Sequence, residues 1–155
     1  MSTERTQPAP PSMVLRPEEI ERFDRGNGVV TVPFVGKWNT AVNRVTTGMT
    51  VFSPGTGIPL HSHNVEETVL VFEGEATAVI GDDEFELGPG QATWVPAGIP
   101  HCFRNRGEGS MTIYWVYGGR DVTRTVTATG ETFEHLSDKD RGAGPARPSQ
   151  SSTPA

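Results

Sequence analysis

The sequence predicts an all-β fold of short strands, and three observations carry that expectation. Glycine and proline number 18 and 13 among 155 residues, about a fifth of the chain, which favours frequent turns over long helices. Short runs rich in Val, Ile, Thr and aromatic residues recur through the middle of the chain, separated by Gly, Pro, Asn and Asp. Hydrophobic residues, counted without glycine, make up 34%, which is ordinary for one globular domain of this length. A sandwich or barrel fits that spacing of strands and turns.

Residues 1–12 are polar and proline-rich without periodicity, and are expected to form a disordered tail. A short helix is expected over 17–23. Pro17 suits a first turn, Glu18 and Glu19 follow it, and Ile20 and Phe23 stand three apart. Strands are expected at 29–35, 41–46, 49–53, 67–72, 76–80, 84–87, 92–95, 101–105, 111–117 and 122–127. Gly81-Asp82-Asp83 reads as a hairpin tip between them. Residues 138–155 contain no large apolar side chain and are expected to form a second disordered tail. One folded unit, 13–137, remains.

Strand parity adds a surface argument. Glu67, Val69 and Val71 share one face while Thr68, Leu70 and Phe72 share the other. Met111, Ile113, Trp115 and Tyr117 likewise oppose Thr112, Tyr114 and Val116. Strands apolar on both faces need cover on both sides. One face can line an interior; the other is left for a second copy of the chain, as in a homodimer, or for the N-terminal segment.

Charge narrows the function. A formal −6 and a pI near 5.2, with no cluster of Lys and Arg, argue against a nucleic-acid partner. Runs such as Val69-Leu70-Val71-Phe72 are far too short to span a membrane. The start of the chain has no apolar leader, and the lone Cys102 cannot form an intrachain disulfide. The expected location is the cytoplasm.

The chemistry concentrates in two stretches. His61 and His63 stand at i and i+2, so an extended backbone presents both imidazoles to one point. Glu67 can bring a carboxylate there after a short turn, and His101 can complete the set from a distant strand. Three imidazoles and a carboxylate suit a divalent transition metal.

These spacings resemble the two motifs of the cupin superfamily, Gly-x5-His-x-His-x3,4-Glu-x6-Gly and Gly-x5-Pro-x-Gly-x2-His-x3-Asn. Gly55, His61, His63, Glu67 and Gly74 meet the first, and Gly90, Pro96, Gly98, His101 and Asn105 the second. The resemblance implies a double-stranded β-helix, or jelly-roll barrel, holding one metal on His61, His63, Glu67 and His101. It gives the glycines, Pro96 and Asn105 structural roles.

Residues outside the motifs are read more plainly. Glu66 points away by parity and is expected to be solvated or to support a ligand. His135 lies past the last good strand and is read as a surface residue. Cys102 alternates away from His101 and is read as an inert buried thiol. Trp38, Trp94 and Trp115 are read as core, with Trp115 also lining an apolar pocket beside Phe103. Arg44 is either an anion anchor within the barrel or, as preferred, a solvated outer-face residue.

Four protein ligands would saturate a tetrahedral zinc, whereas octahedral Fe(II), Mn(II), Ni(II) or Co(II) keeps two positions for a substrate. The resemblance implies several activities. The first expectation is an Fe(II) dioxygenase acting on a small organic molecule, because the interior reads as apolar. The alternatives are a non-oxidative isomerase, decarboxylase or lyase, and a binding or sensing protein without turnover. No side chain stands out as a general acid or base.

Overall fold

The structure is a computed structural model, and it describes residues 11–141 and the backbone of 144–145. The disorder expected for residues 1–10 and for 146–155 lies outside the described residues. The strands are β1 (Phe23–Gly26), β2 (Val29–Pro33), β3 (Thr46–Phe52), β4 (Thr56–Gly57), β5 (His61–His63), β6 (Glu67–Glu73) and β7 (Ala76–Ile80). They continue as β8 (Asp83–Leu87), β9 (Ala92–Val95), β10 (His101–Arg104), β11 (Met111–Tyr117), β12 (Thr123–Val126), β13 (Thr132–Glu134) and β14 (Gly144–Pro145).

Two antiparallel sheets face each other. The first runs β1-β2-β3-β11-β6-β9; the second runs β13-β12-β5-β10-β4-β14, with the β7–β8 hairpin paired to β10. This is the jelly-roll architecture of the cupin expectation. In the first sheet β11 lies between β3 and β6, which puts Ile113 between Thr50 and Val71, and Trp115 between Gly48 and Val69. The inward positions of β2, β3, β6 and β11 bury Val29, Phe52, Val69, Val71, Met111 and Ile113. Alternation along each strand places them on one face, and their removal from water drives closure of the barrel.

Two glycines mark close approaches. A Cβ on Gly48 would lie 2.5 Å from Trp115 Cζ2 and 2.8 Å from the Val32 carbonyl, so the indole occupies the space a side chain would need. Gly74, the last residue of the first motif, has φ +83°, and its Cβ would meet the Ser110 carbonyl at 2.3 Å. The two motifs are also tied through backbone. Gly98 N–H donates to His63 O at 2.9 Å, and Gly55 N–H donates to Asn105 O at 2.9 Å. Asn105 holds this corner through Nδ2 bonds to the carbonyls of Phe52 and Gly109.

Several expectations need correction. The helix expected over 17–23 is a single 3-10 turn at Pro17–Glu19, because Arg16 at the N-cap supplies no side-chain cap bond and Phe23 already pairs with Thr31 as strand. Residues 41–45 form an irregular loop, with only Thr46 entering β3. Side-chain bonds organise that loop: Asn43 Nδ2 donates to Val45 O, and Arg120 Nη1 donates to Thr40 O and Asn43 Oδ1. Trp38 and Trp94 are exposed, Trp94 to 62%, because Trp94 sits on the outward face of the edge strand β9. Trp115 is buried.

The folded unit also passes the boundary drawn at 137. Asp138–Arg141 forms a 3-10 turn, and Asp140 is 1% exposed. Charge rather than apolar area holds it there: its carboxylate lies 3.0 Å from Arg25 Nη1 and 2.9 Å from Arg124 Nε.

Candidate metal centre

The second sheet brings the three histidines together. His61 and His63 are the ends of β5, and His101 opens β10 directly opposite His61. Their ring centroids are 4.7 to 5.2 Å apart. The Nδ1 atoms point outward to backbone oxygens: His61 to Pro59 O at 2.7 Å, His63 to Thr123 O at 3.0 Å, His101 to Ile99 O at 2.8 Å. A carbonyl only accepts, so each Nδ1 carries the proton and each Nε2 keeps a lone pair. One ring nitrogen from each histidine lies within 4.8 Å of the others, a group that could hold a metal ion.

Glu67 comes from the opposite sheet, as the first residue of β6. Its carboxylate oxygens lie 3.1 Å from His101 Nε2 and 3.5 Å from His63 Nε2. Neither contact is aligned as a hydrogen bond, and both Nε2 atoms are buried without a partner. Buried polar atoms left unpaired around a common centre are costly unless something bridges them, and a cation suits three lone pairs and a carboxylate.

Electrostatics match that arrangement. Burial pushes the His61 imidazolium well below its ordinary range, with Arg124 and the other two imidazoles acting in the same direction. Burial also lowers His63, to about 4, against the pull of Glu67. For Glu67 burial works upward, but the His101 contact and the neighbouring imidazoles outweigh it and lower the carboxyl. His101 moves the other way: burial alone would lower it, and Glu67 raises it. Two neutral imidazoles beside an ionised carboxylate are already in the ligating state.

A cavity of about 20 Å³ adjoins the cluster, enough for about one water or ion. Phe103 and Trp115 line it, both buried, with Trp115 Nε1 donating to Thr50 Oγ1 at 3.0 Å. The rest of the lining corrects the apolar interior expected from sequence: Arg25, Tyr117, Arg124 and His135 reach it as well. His135 is buried, not surface; its ring lies 5.1 Å from Trp115 and 5.0 Å from Tyr117, and burial pushes its imidazolium well down. The Tyr117 ring lies tilted against His63 with centroids 4.5 Å apart, and burial, then Glu67, raises its hydroxyl well above the usual range.

A wider groove of about 190 Å³ opens beyond, lined by Pro59, Phe133, Lys139 and Asp140, and it shares His61 and Arg124 with the cavity. Arg44 and Glu66 are exposed and outside both. Cys102 is fully buried, and burial raises its thiol. Sequence reasoning missed Arg25, Arg124, Tyr117 and His135 as interior groups. Only for Tyr117 was a signal available, in its shared parity with Trp115.

A two-sheet antiparallel barrel with an internal His/Glu cluster defines a jelly-roll protein with a candidate metal centre. The profile of the cupin domain family matches residues 48–117, a stretch that contains both motifs. Similar solved structures include a sugar phosphate isomerase of the cupin superfamily from Silicibacter pomeroyi, at TM-score 0.67, 21% identity, 79% of this chain and 87% of that one. The polyketide cyclase RemF from Streptomyces resistomycificus aligns at TM-score 0.63 and 18% identity, covering 84% and 90%. Oxalate decarboxylase from Bacillus subtilis, described with Mn(II) centres, aligns at TM-score 0.65 and 18% identity over 72% and 31%. These likenesses show the fold alone. The chain spans 31% and 54% of the lengths of the two curated relatives it matches, at 29% and 28% identity. Among the described residues no helix is long and apolar enough to cross a membrane.

Proposed function

We propose that this chain is a metal-dependent cupin enzyme acting on a small organic molecule, with His61, His63, Glu67 and His101 as ligands. The observation that carries this reading is the common orientation of three rings. Each Nδ1–H is held by a carbonyl, leaving each Nε2 its lone pair, with those of His63 and His101 beside the Glu67 carboxylate. Four such ligands leave an octahedral Fe(II), Mn(II), Co(II) or Ni(II) two positions for substrate, whereas zinc in a tetrahedral site would be saturated. When bound, the metal supplies Lewis-acid polarisation of a substrate oxygen.

Non-oxidative chemistry (isomerisation, decarboxylation or lyase cleavage) fits the interior best. Tyr117 keeps its proton near Glu67 and offers a hydrogen bond, while His135 stays neutral and offers an acceptor. Phe103 and Trp115 exclude water on one side. The names of the structural neighbours, an isomerase, a cyclase and a decarboxylase, support the same class. An Fe(II) dioxygenase is the second reading, favoured by the apolar wall of Phe103, Ile113 and Trp115.

Elemental analysis of freshly purified protein, followed by assays of the Mn- and Fe-loaded forms with and without oxygen, tests this reading. Turnover that persists anaerobically supports the first class; obligatory oxygen uptake replaces it with the second. Protein without metal, or metal-loaded protein that only binds small molecules, overturns the enzyme assignment.

We also propose a homodimer through the outer face of the first sheet. Leu70, Phe72 and Trp94 project there from β6 and β9, exposed to 38%, 62% and 62%. A contiguous apolar face of this kind is unusual on a monomer. The cytoplasm stays the proposed location, resting on the single unpaired thiol of Cys102.

A further inference from the structure

We propose that Arg124 is the specificity-determining anchor for a small carboxylate substrate held at the proposed metal centre, a reading that rests on the function proposed above. The observation behind it is a buried ionic group in which one carboxylate serves two guanidinium groups, while the other carboxylate of the cavity, Glu67, faces His63 and His101. Arg25, Arg124 and Asp140 are 3%, 5% and 1% exposed, so two guanidinium groups share one carboxylate inside the protein. A buried charge without its own partner is expensive, and an anionic ligand relieves it.

The two arginines are not equivalent. Arg25 is satisfied: Nε donates to Thr31 Oγ1 at 2.9 Å, and Nη1 and Nη2 donate to Asp140 Oδ1 and Oδ2 at 3.0 and 3.2 Å. Nη1 also reaches the Asp140 carbonyl. Among the described residues Arg124 has one ionic contact, Nε to Asp140 Oδ1 at 2.9 Å, and that contact is not aligned as a hydrogen bond. Of the two guanidinium forks, only that of Arg25 is bonded to the carboxylate.

Its placement matches that role. Arg124 is the cross-strand partner of His63 in the β12–β5 pairing, so both side chains leave the sheet on the same face, with Cβ atoms about 5 Å apart. Arg124 and His61 are the residues common to the cavity and the outer groove. A ligand entering the groove meets the guanidinium beside the imidazole cluster. At about 190 Å³ the groove is smaller than the roughly 300–1,000 Å³ of drug-sized sites, which limits the acid to a small one. The carboxylate of Asp140 already shows which group this pair of arginines accepts.

Removing the fork should spare the fold, because Asp140 and Arg25 remain a neutral, doubly bonded pair. The test is calorimetric titration of the Co(II)-loaded full chain with formate, acetate, benzoate and malonate, each against its neutral amide, and with inorganic phosphate. Wild type is expected to bind at least one carboxylate, and R124Q to bind it about thirtyfold more weakly, with Co(II) still bound at the same stoichiometry. If R124Q does not fold, R124K carries the test: it keeps the charge but loses the fork, and a loss under about twofold overturns the proposal. Equal carboxylate binding by R124Q, binding of phosphate alone, or no anion binding by Co(II)-loaded wild type overturns it too. Failure of wild type to bind Co(II) instead overturns the metal centre itself, and the anchor with it.

Discussion

His101 Nε2 lies 3.1 Å from Glu67 Oε1, and the two residues belong to opposite sheets. The three histidines come from the second sheet and the carboxylate from the first. A cation held among them therefore crosslinks the two layers of the barrel.

Metal binding should then stabilise the whole domain. At a hundredfold excess over its Kd a native-state ligand adds about 2.7 kcal/mol, on the order of 8 °C for a domain of this size. H101A and H61A should lose that increment and most bound metal, while the metal-free variants still fold, since the apolar core is built without the histidines. Differential scanning calorimetry with and without Mn(II), paired with elemental analysis, checks both points. Unchanged metal content in H101A would remove it from the ligand set.

The site was legible in the sequence because its four side chains fall in two short segments with fixed spacing, and strand parity turns His61 and His63 the same way. The buried ionic group was not. Arg25, Arg124 and Asp140 are far apart in the chain, and Thr123-Arg124-Thr125 reads locally as a solvated strand face. Asp140 lies in a stretch without large apolar residues, where a burial argument based on hydrophobicity places the end of the fold too early. Val42 and Val45 suggested a strand that asparagine bonds and Arg120 resolve as a loop. His135 follows the short β13, where its N–H joins the Val122 carbonyl at 2.9 Å and its ring packs against Trp115 and Tyr117, contacts that no local pattern announces.

Gly48 sets the depth of the Trp115 indole. G48A places a methyl 2.5 Å from Cζ2 and should push the ring toward the cavity, costing about 1–3 kcal/mol. Denaturant unfolding followed by tryptophan fluorescence reads the loss. W115F in the same background should recover part of it, because the six-membered ring does not reach as far. No recovery would place the strain in the backbone contact with Val32 O instead.

The outer face of the first sheet predicts an oligomeric state. Light scattering coupled to size exclusion should give a dimer for wild type and a monomer for F72E or W94E, with far-ultraviolet dichroism unchanged. Each side chain is more than half exposed in the single chain, so the charge should not disturb the fold of the monomer. A monomeric wild type at high micromolar concentration would rule out this face as a stable dimer contact.

The C-terminal turn should contribute to stability through Asp140. D140A leaves two buried guanidinium groups without a carboxylate, an outcome that costs about 3–5 kcal/mol. Truncation after Ser137 should cost at least as much, since it also removes the Asp140 N–H bond to the Ser137 carbonyl at 2.9 Å and the Arg141 Nη1 bond to Asp24 O at 2.9 Å. Acid should reproduce part of this loss. Burial alone would raise the Asp140 carboxyl, but Arg124 and Arg25 outweigh it and hold it at about 2, below the ordinary 3.8. A carboxyl depressed in the folded state adds stability that is full above about pH 4 and fades as pH falls toward about 2, on the order of 2 kcal/mol here. Urea unfolding of wild type and D140N at pH 6 and near pH 2.5 isolates it. The gap between the two proteins should narrow at the lower pH, because protonation removes in wild type the charge that the variant already lacks. A gap that stays constant would mean that the hydrogen bonds of Asp140, and not its charge, hold the turn.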